Sequence, residues 1–466
     1  MKKIITLFCL FVAAAFSGCE SEETIPSQPF VVAFSNQSHD YSRITASETI
    51  NLEFSETAKA DGFVTIRITP TNATYGVDFA VSSEPVNNEF IVPINAGLGG
   101  TSFTFTNLIF PFDSDEKSVK FDIVAIDYPD DSNIQGFTST VISFERSLGA
   151  ISEPALGGPN QGNQVYVDLS TETATEVWRD SWDLGFYSGD EFRVAINGSI
   201  YMAAKQLDGI DIDAVTEASV SALQSQVTIG TFDPANAAFI DNPNGAIAGT
   251  AFQEVSSIDT DNKVYLVNLG YTVGTTTPAA GSVAIAGNPR GWRKVRVLRD
   301  GDNYKLQYAE LNSATHQEIT ISKNAAYNFS FFSFNTNSIV SVEPEKGKWD
   351  LNFTVFTNII DGAGSYGYSD FVLNNVKAGV YVYRVNVAAD VTYENYALAN
   401  VDDNNFTADQ RIIGADWRDV FTGSAYTNRF YVLKDLDGNY YKIRMLAFLS
   451  QNGVRGYPRF EYRLLQ

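Results

Sequence analysis

Apolar and polar positions alternate with a period of two along most of this chain. GFVTIRITP (62–70), KSVKFDIVAI (117–126), NQVYVDLS (163–170), KVYLVNLG (263–270) and YKIRMLAFL (441–449) alternate or concentrate β-branched and aromatic residues. That is the pattern of strands with one buried face. Turn signals stand among such runs: Asp61-Gly62, Asp300-Gly301, Asp437-Gly438 and Asn452-Gly453. A helical period shows in DIDAVTEASVSALQSQV (211–227), where Val215, Val220, Leu223 and Val227 share one face. The chain therefore reads as mainly β, with one or two short helices.

Two stretches repeat. SWDLGF from Ser181 and KWDLNF from Lys348 each open a strand with Trp-Asp, after an earlier strand and a short excursion. Further on, WRKVRVLRDGDNYKLQYAEL and RFYVLKDLDGNYYKIRMLAF share Val-Leu, Asp-Gly and Tyr-Lys in the same order, the signature of a hairpin around its turn. The ends match and the middle of the first copy is longer. Duplication of one β domain leaves this record, because frame strands resist change while loops accept insertions. A Trp opening a half-buried strand reads as a core aromatic. The Asp beside it (Asp183, Asp350) reads as an acceptor for backbone donors of the preceding turn.

Charge and the N-terminus narrow the setting. A net charge of −23 without a compensating Lys/Arg cluster argues against nucleic acid as a partner. Met1, Lys2 and Lys3 precede an apolar run to Phe16 that is too short to span a bilayer, and Ser17-Gly18-Cys19 follows. This resembles a bacterial lipobox, which implies removal of residues 1–18, lipidation of Cys19 and anchoring through it in the outer membrane. The only other cysteine, Cys9, would leave with the signal, so no disulfide is available. Glu20-Ser21-Glu22-Glu23 resembles the acidic export tags that carry some lipoproteins to the cell surface. The rest divides into a tether (19–28), a first β module (29–147), a Pro/Gly-rich linker (148–163) and the two copies (164–324 and 325–466).

The first module, with ATYGVDFAV, EFIVPINAG and KSVKFDIVAI, resembles a Calx-β domain. That implies an immunoglobulin-like sandwich. It also offers calcium-ligand candidates among Asp127, Asp130 and Asp131, or Asp113, Asp115 and Glu116, since Ca²⁺ takes six to eight oxygens. The two copies, together with the ending NGVRGYPRFEYRLL, resemble the HmuY family of haem-binding lipoproteins. Two tandem HmuY-like β domains, haem as cofactor, and a haem-carrying protein as partner follow from that resemblance. Haem needs an axial imidazole, thioether, phenolate or thiolate. The family takes its ligand pair, two His or two Met, from between the Trp-Asp strand and the closing hairpin. Copy one offers Met202 there, beside Tyr201, and copy two offers neither His nor Met. His316, after the hairpin in what reads as a turn, is a third candidate, although a lone turn histidine is usually solvated; Met445 reads as core, and His39 falls in the first module.

Two histidines leave little for a triad or zinc site, and no nucleophile-elbow or phosphate-loop motif occurs. KDLDGN (434–439) mimics an EF-hand start, but its glycine comes early and no closing glutamate follows, so it reads as a hairpin turn. The expectation is a non-enzymatic surface lipoprotein binding haem or a related apolar ligand for uptake. The alternative is a non-haem scaffold for adhesion or glycan binding.

Overall fold

The structure, a computed structural model, describes residues 29–41, 44, 46–109, 117–143 and 148–465. Cys19, the tether, Asp113, Asp115 and Glu116 lie outside the described residues. The chain is mainly β, and its one α-helix among the described residues is Glu217–Gln224. Thr216 caps that helix by accepting the Ser219 N–H. Val220 and Val227 are buried on the predicted face, with Val215 and Leu223 packed beside them. Among the described residues no helix is long and apolar enough to cross a membrane.

The first module forms two five-stranded sheets. One is centred on Ser47–Phe54, between Gly100–Asn107 and Phe30–Phe34; the other is centred on Ser118–Asp127, between Ser139–Ser143 and Gly62–Thr71. Alternation does the work: Val64, Ile66 and Ile68 point inward from Gly62–Thr71 while Phe63 and Arg67 face out. The inward set joins Phe34, Phe79, Phe105 and Phe121 in one cluster, as a sandwich requires.

The predicted linker is partly structured. Gly149–Ser152 is a strand at the edge of the C-terminal sheet, antiparallel to Arg455–Leu464. Its other side meets the first module, where Ile151 donates to the Ser35 carbonyl and Gln37 donates to Gly149. Gly149 holds φ +143, and a Cβ there would meet the Tyr462 carbonyl at 2.5 Å. Composition marked these residues as breakers, whereas the glycine serves a close backbone approach. An Arg459–Glu53 ion pair and the Arg463 guanidinium over the Phe137 ring also join the two regions.

The two copies interlock. The leading hairpin of copy one, Asn163–Asp168 with Thr173–Trp178, pairs with the Trp-Asp strand of copy two, Leu351–Ile360. The leading hairpin of copy two, Phe329–Ser333 with Ser338–Val340, pairs with the Trp-Asp strand of copy one, Leu184–Tyr187. The division at 324/325 thus follows the sequence repeat but not the sheets. Alternation specifies which face of a strand is buried, not which strand lies beside it. The closing hairpins stay at home: Trp292–Asp300 turns through Gly301 and Asp302 into Asn303–Ala309, and Arg429–Lys434 leads to Tyr440–Leu449. KDLDGN is the turn of the latter, with Asp435 accepting the Asn439 N–H at 2.7 Å.

Candidate ligand-binding cavity

The exchange brings the two Trp-Asp corners together in reciprocal detail. Asp183 donates its N–H to Phe332, and its carboxylate accepts the N–H of Phe334, just past the end of copy two's hairpin strand. Asp350 donates to Val167 and accepts from Leu169, just past the end of copy one's. The carboxylates do cap backbone donors, as expected, but those donors belong to the other copy's hairpin rather than the preceding turn. Asn197 Nδ2 spans the carbonyls of Arg179 and Trp182, both at 2.8 Å. Asn375 Nδ2 spans Lys346 and Trp349 at 2.9 and 3.1 Å. Each indole meets the exchanged strand edge-on: Trp182 with Phe331 at 4.8 Å and Trp349 with Tyr166 at 5.0 Å between centroids.

The corners diverge in charge. Asp183 is fully buried in a bidentate pair with Arg290, at 2.6 and 3.2 Å. Asp350 forms no ion pair among the described residues; burial, with Asp168, Asp435 and Asp437 nearby, pushes its carboxyl up to about 8.

Between the corners lies a cavity of ≈170 Å³. Trp182, Trp349, Tyr166, Phe329, Phe331 and Phe356 form its aromatic wall, and Met202 and Ile196 add aliphatic surface. The polar lining is unevenly satisfied. Asp241 accepts the N–H groups of Ala251 and Ile196, and Glu343 accepts that of Phe329. Burial pushes these carboxyls up to about 6 and about 7. By contrast, Trp182 Nε1, Trp349 Nε1, Asn352 Oδ1 and Asn374 Oδ1 are buried without a hydrogen-bond partner among the described residues. Buried polar atoms in folded proteins are nearly always paired, and these four belong to residues that line the cavity.

A family model described as HmuY protein matches residues 160–462. The chain belongs to the HmuY family. The match runs through both copies and the exchange between them. No curated protein matches the chain. Of solved structures, the apo form of the Calx CBD1 domain covers 25% of this chain and 97% of that one, at 8% identity and a TM-score of 0.20. A protein from Bacteroides fragilis described as a lipoprotein covers 68% of this chain and 90% of that one, at 11% identity and a TM-score of 0.15.

The structure separates the residues that the HmuY resemblance nominated. Met202 is fully buried on the cavity wall. Tyr201 turns away at φ +69 and lays its ring over Gly367. His316 follows the bend at 314–315 and is 24% exposed; its Nδ1 lies 3.0 Å from Asp213 and its Nε2 3.4 Å from Glu318, away from the cavity. His39 sits beside Glu48 in the first module, and Met445 packs in the C-terminal core as expected. Among the described residues no three His, Cys, Asp or Glu side chains are grouped to hold a metal, so Asp127, Asp130 and Asp131 do not converge. Sequence reading missed Lys377, Glu343 and Asp241; its assignment of the tryptophans to the core holds, since Trp349 is buried with Tyr166 and Phe331 and Trp182 packs against them, in a cluster that also walls the cavity. The repeat of Trp-Asp was the signal available, since it marks where the copies meet.

The raised carboxyls make stability depend on pH. A carboxyl near 7 or 8 in the native state and near 4 when unfolded holds more protons in the native state between those values. Its contribution is present below about pH 4 and is lost as pH rises toward 8. The urea midpoint is expected to fall between pH 5.5 and 8.5, by an amount equivalent to about 1–3 kcal/mol. Asp350→Asn should flatten that profile; an unchanged slope in the variant would refute the assignment.

Proposed function

We propose that this protein is a cell-surface lipoprotein of the HmuY type, anchored through Cys19. It captures a flat, largely apolar ligand for uptake in the cavity between its interlocked copies, and it works by binding rather than catalysis. The observation that carries this reading is the pair of tryptophans from reciprocal corners walling one cavity, with their Nε1 atoms unpartnered. The N-terminal sandwich acts as the spacer that holds the binding unit off the membrane.

Haem is the ligand that membership of the family implies, and the residues present fit it only in part. Met202 supplies one thioether on the wall, and the other side chain of an axial-donor type there is Tyr166, whose hydroxyl already accepts from Gln164 Nε2 at 2.8 Å. A cavity of ≈170 Å³ is near the size of one that accommodates benzene, about 150 Å³. It falls below the roughly 300 Å³ of ordinary cofactor pockets, so a compact ligand matches it more closely than a whole porphyrin. A compact flat ligand is the better-supported reading, and haem on Met202 is the second.

Two titrations of the chain from Glu20 onward separate them. Indole, a neutral flat probe, should bind saturably by calorimetry and fail to bind Ala195→Trp, which fills the cavity from its wall; equal binding by both proteins would refute the cavity as the site. Haemin should leave its Soret band unshifted. A saturable shift that is lost in Met202→Ala would establish the haem reading instead.

A further inference from the structure

The cavity's unpartnered groups are mostly donors, and one is a cation. Lys377 lies on the wall with its Nζ 5.5 Å from the centre of the Phe329 ring. Among the described residues its Nζ makes no hydrogen bond or ion pair. The carboxyls whose field reaches it, Glu343 and Asp241, already accept backbone N–H groups. Neither closes on the lysine within ion-pair distance. A buried ammonium near an aromatic ring on a cavity wall, with no anion bonded to it, is a donor awaiting an anion.

We propose that the cavity's ligand is a compact aromatic carboxylate, its ring lying among Trp182, Trp349 and Phe331 and its carboxylate taken by Lys377. The ring accounts for the aromatic lining, and the anion supplies acceptors for donors that the protein leaves open. Asn352 and Asn374 offer carbonyl oxygens for a ring N–H or hydroxyl. This deepens the capture reading and rests on it.

The matched pair indole-3-carboxylate and indole-3-carboxamide tests the inference, since the two share a ring and differ in charge. With the chain from Glu20 onward, calorimetry should show the acid binding at least roughly tenfold more tightly than the amide, as a charge-assisted contact in a partly dry site implies. Lys377→Met should erase that preference, and Lys377→Arg should restore part of it. Trp349→Phe keeps the ring wall and removes one donor, and should weaken the acid more than the amide. Equal affinity of wild type for acid and amide would overturn the carboxylate inference and leave the capture reading standing. No binding of either would sink the capture reading itself.

Discussion

Asp370→Ala is expected to lower the unfolding free energy by roughly 3–5 kcal/mol, the usual cost of leaving buried charge unpaired. The side chain is fully buried and is the shared anion of two arginines, contacting Arg455 Nη2 and, at 3.4 Å, Arg418 Nε. Its other oxygen accepts Gln161 Nε2 at 2.7 Å, and its backbone N–H returns to Gln161 Oε1 at 2.9 Å. Gln161 in turn offers its carbonyl to Arg179, a buried arginine that among the described residues donates to backbone carbonyls alone: those of Gln161, Ser199, Asn160 and Ile285. One carboxylate therefore secures the entry to copy one, the Trp-Asp corner and two strands of copy two. Asp370 stands at φ +50 in the bulge opposite Val355, a strained position its contacts hold in place. Urea denaturation checks the value. A loss below about 1 kcal/mol, the level of an exposed ion pair, would show that the arginines find other partners.

Asp183→Ala should cost a similar amount, roughly 3–5 kcal/mol, and for a reason tied to the exchange. Removing the carboxylate strands Arg290, whose side chain is 5% exposed, and frees the Phe334 N–H on the hairpin lent by the other copy. Because each copy completes the other's sheet, the loss should appear as a single cooperative transition shifted to lower urea, with both halves unfolding together. Independent tandem domains would instead give two transitions, with only the first displaced. Asp183→Asn keeps the shape and should recover part of the loss, since it can still accept from Phe334.

Much of this fold is legible in the sequence because alternation is local. The strands at Gly62–Thr71, Ser118–Asp127 and Tyr440–Leu449 stand where period two put them, and Asp-Gly marked both closing turns. The hairpin exchange is not legible, because Tyr166 and Phe331 look the same in sequence whether they pack on their own copy's Trp or the other's. The site is less legible still. Met202 and Tyr201 are neighbours in sequence, but the positive φ at Tyr201 sends them apart. Lys377 lies in NNVKAGV, a turn with no pattern to mark it, and gains meaning only from Phe329 and Glu343, which the fold brings to it. Indole groups at strand starts read as core, and the Trp349 ring is buried. Its unpartnered N–H could be seen only once the neighbours were in place.

The central claim, that the cavity between the interlocked copies receives the ligand, is tested most directly by locating a heavy-atom probe in a crystal of the chain from Glu20 onward soaked with 4-iodobenzoate. The account predicts one dominant anomalous peak between Trp182 and Trp349, with the carboxylate density directed to Lys377. Iodine at other surfaces, with none in this cavity at saturating probe, would contradict it.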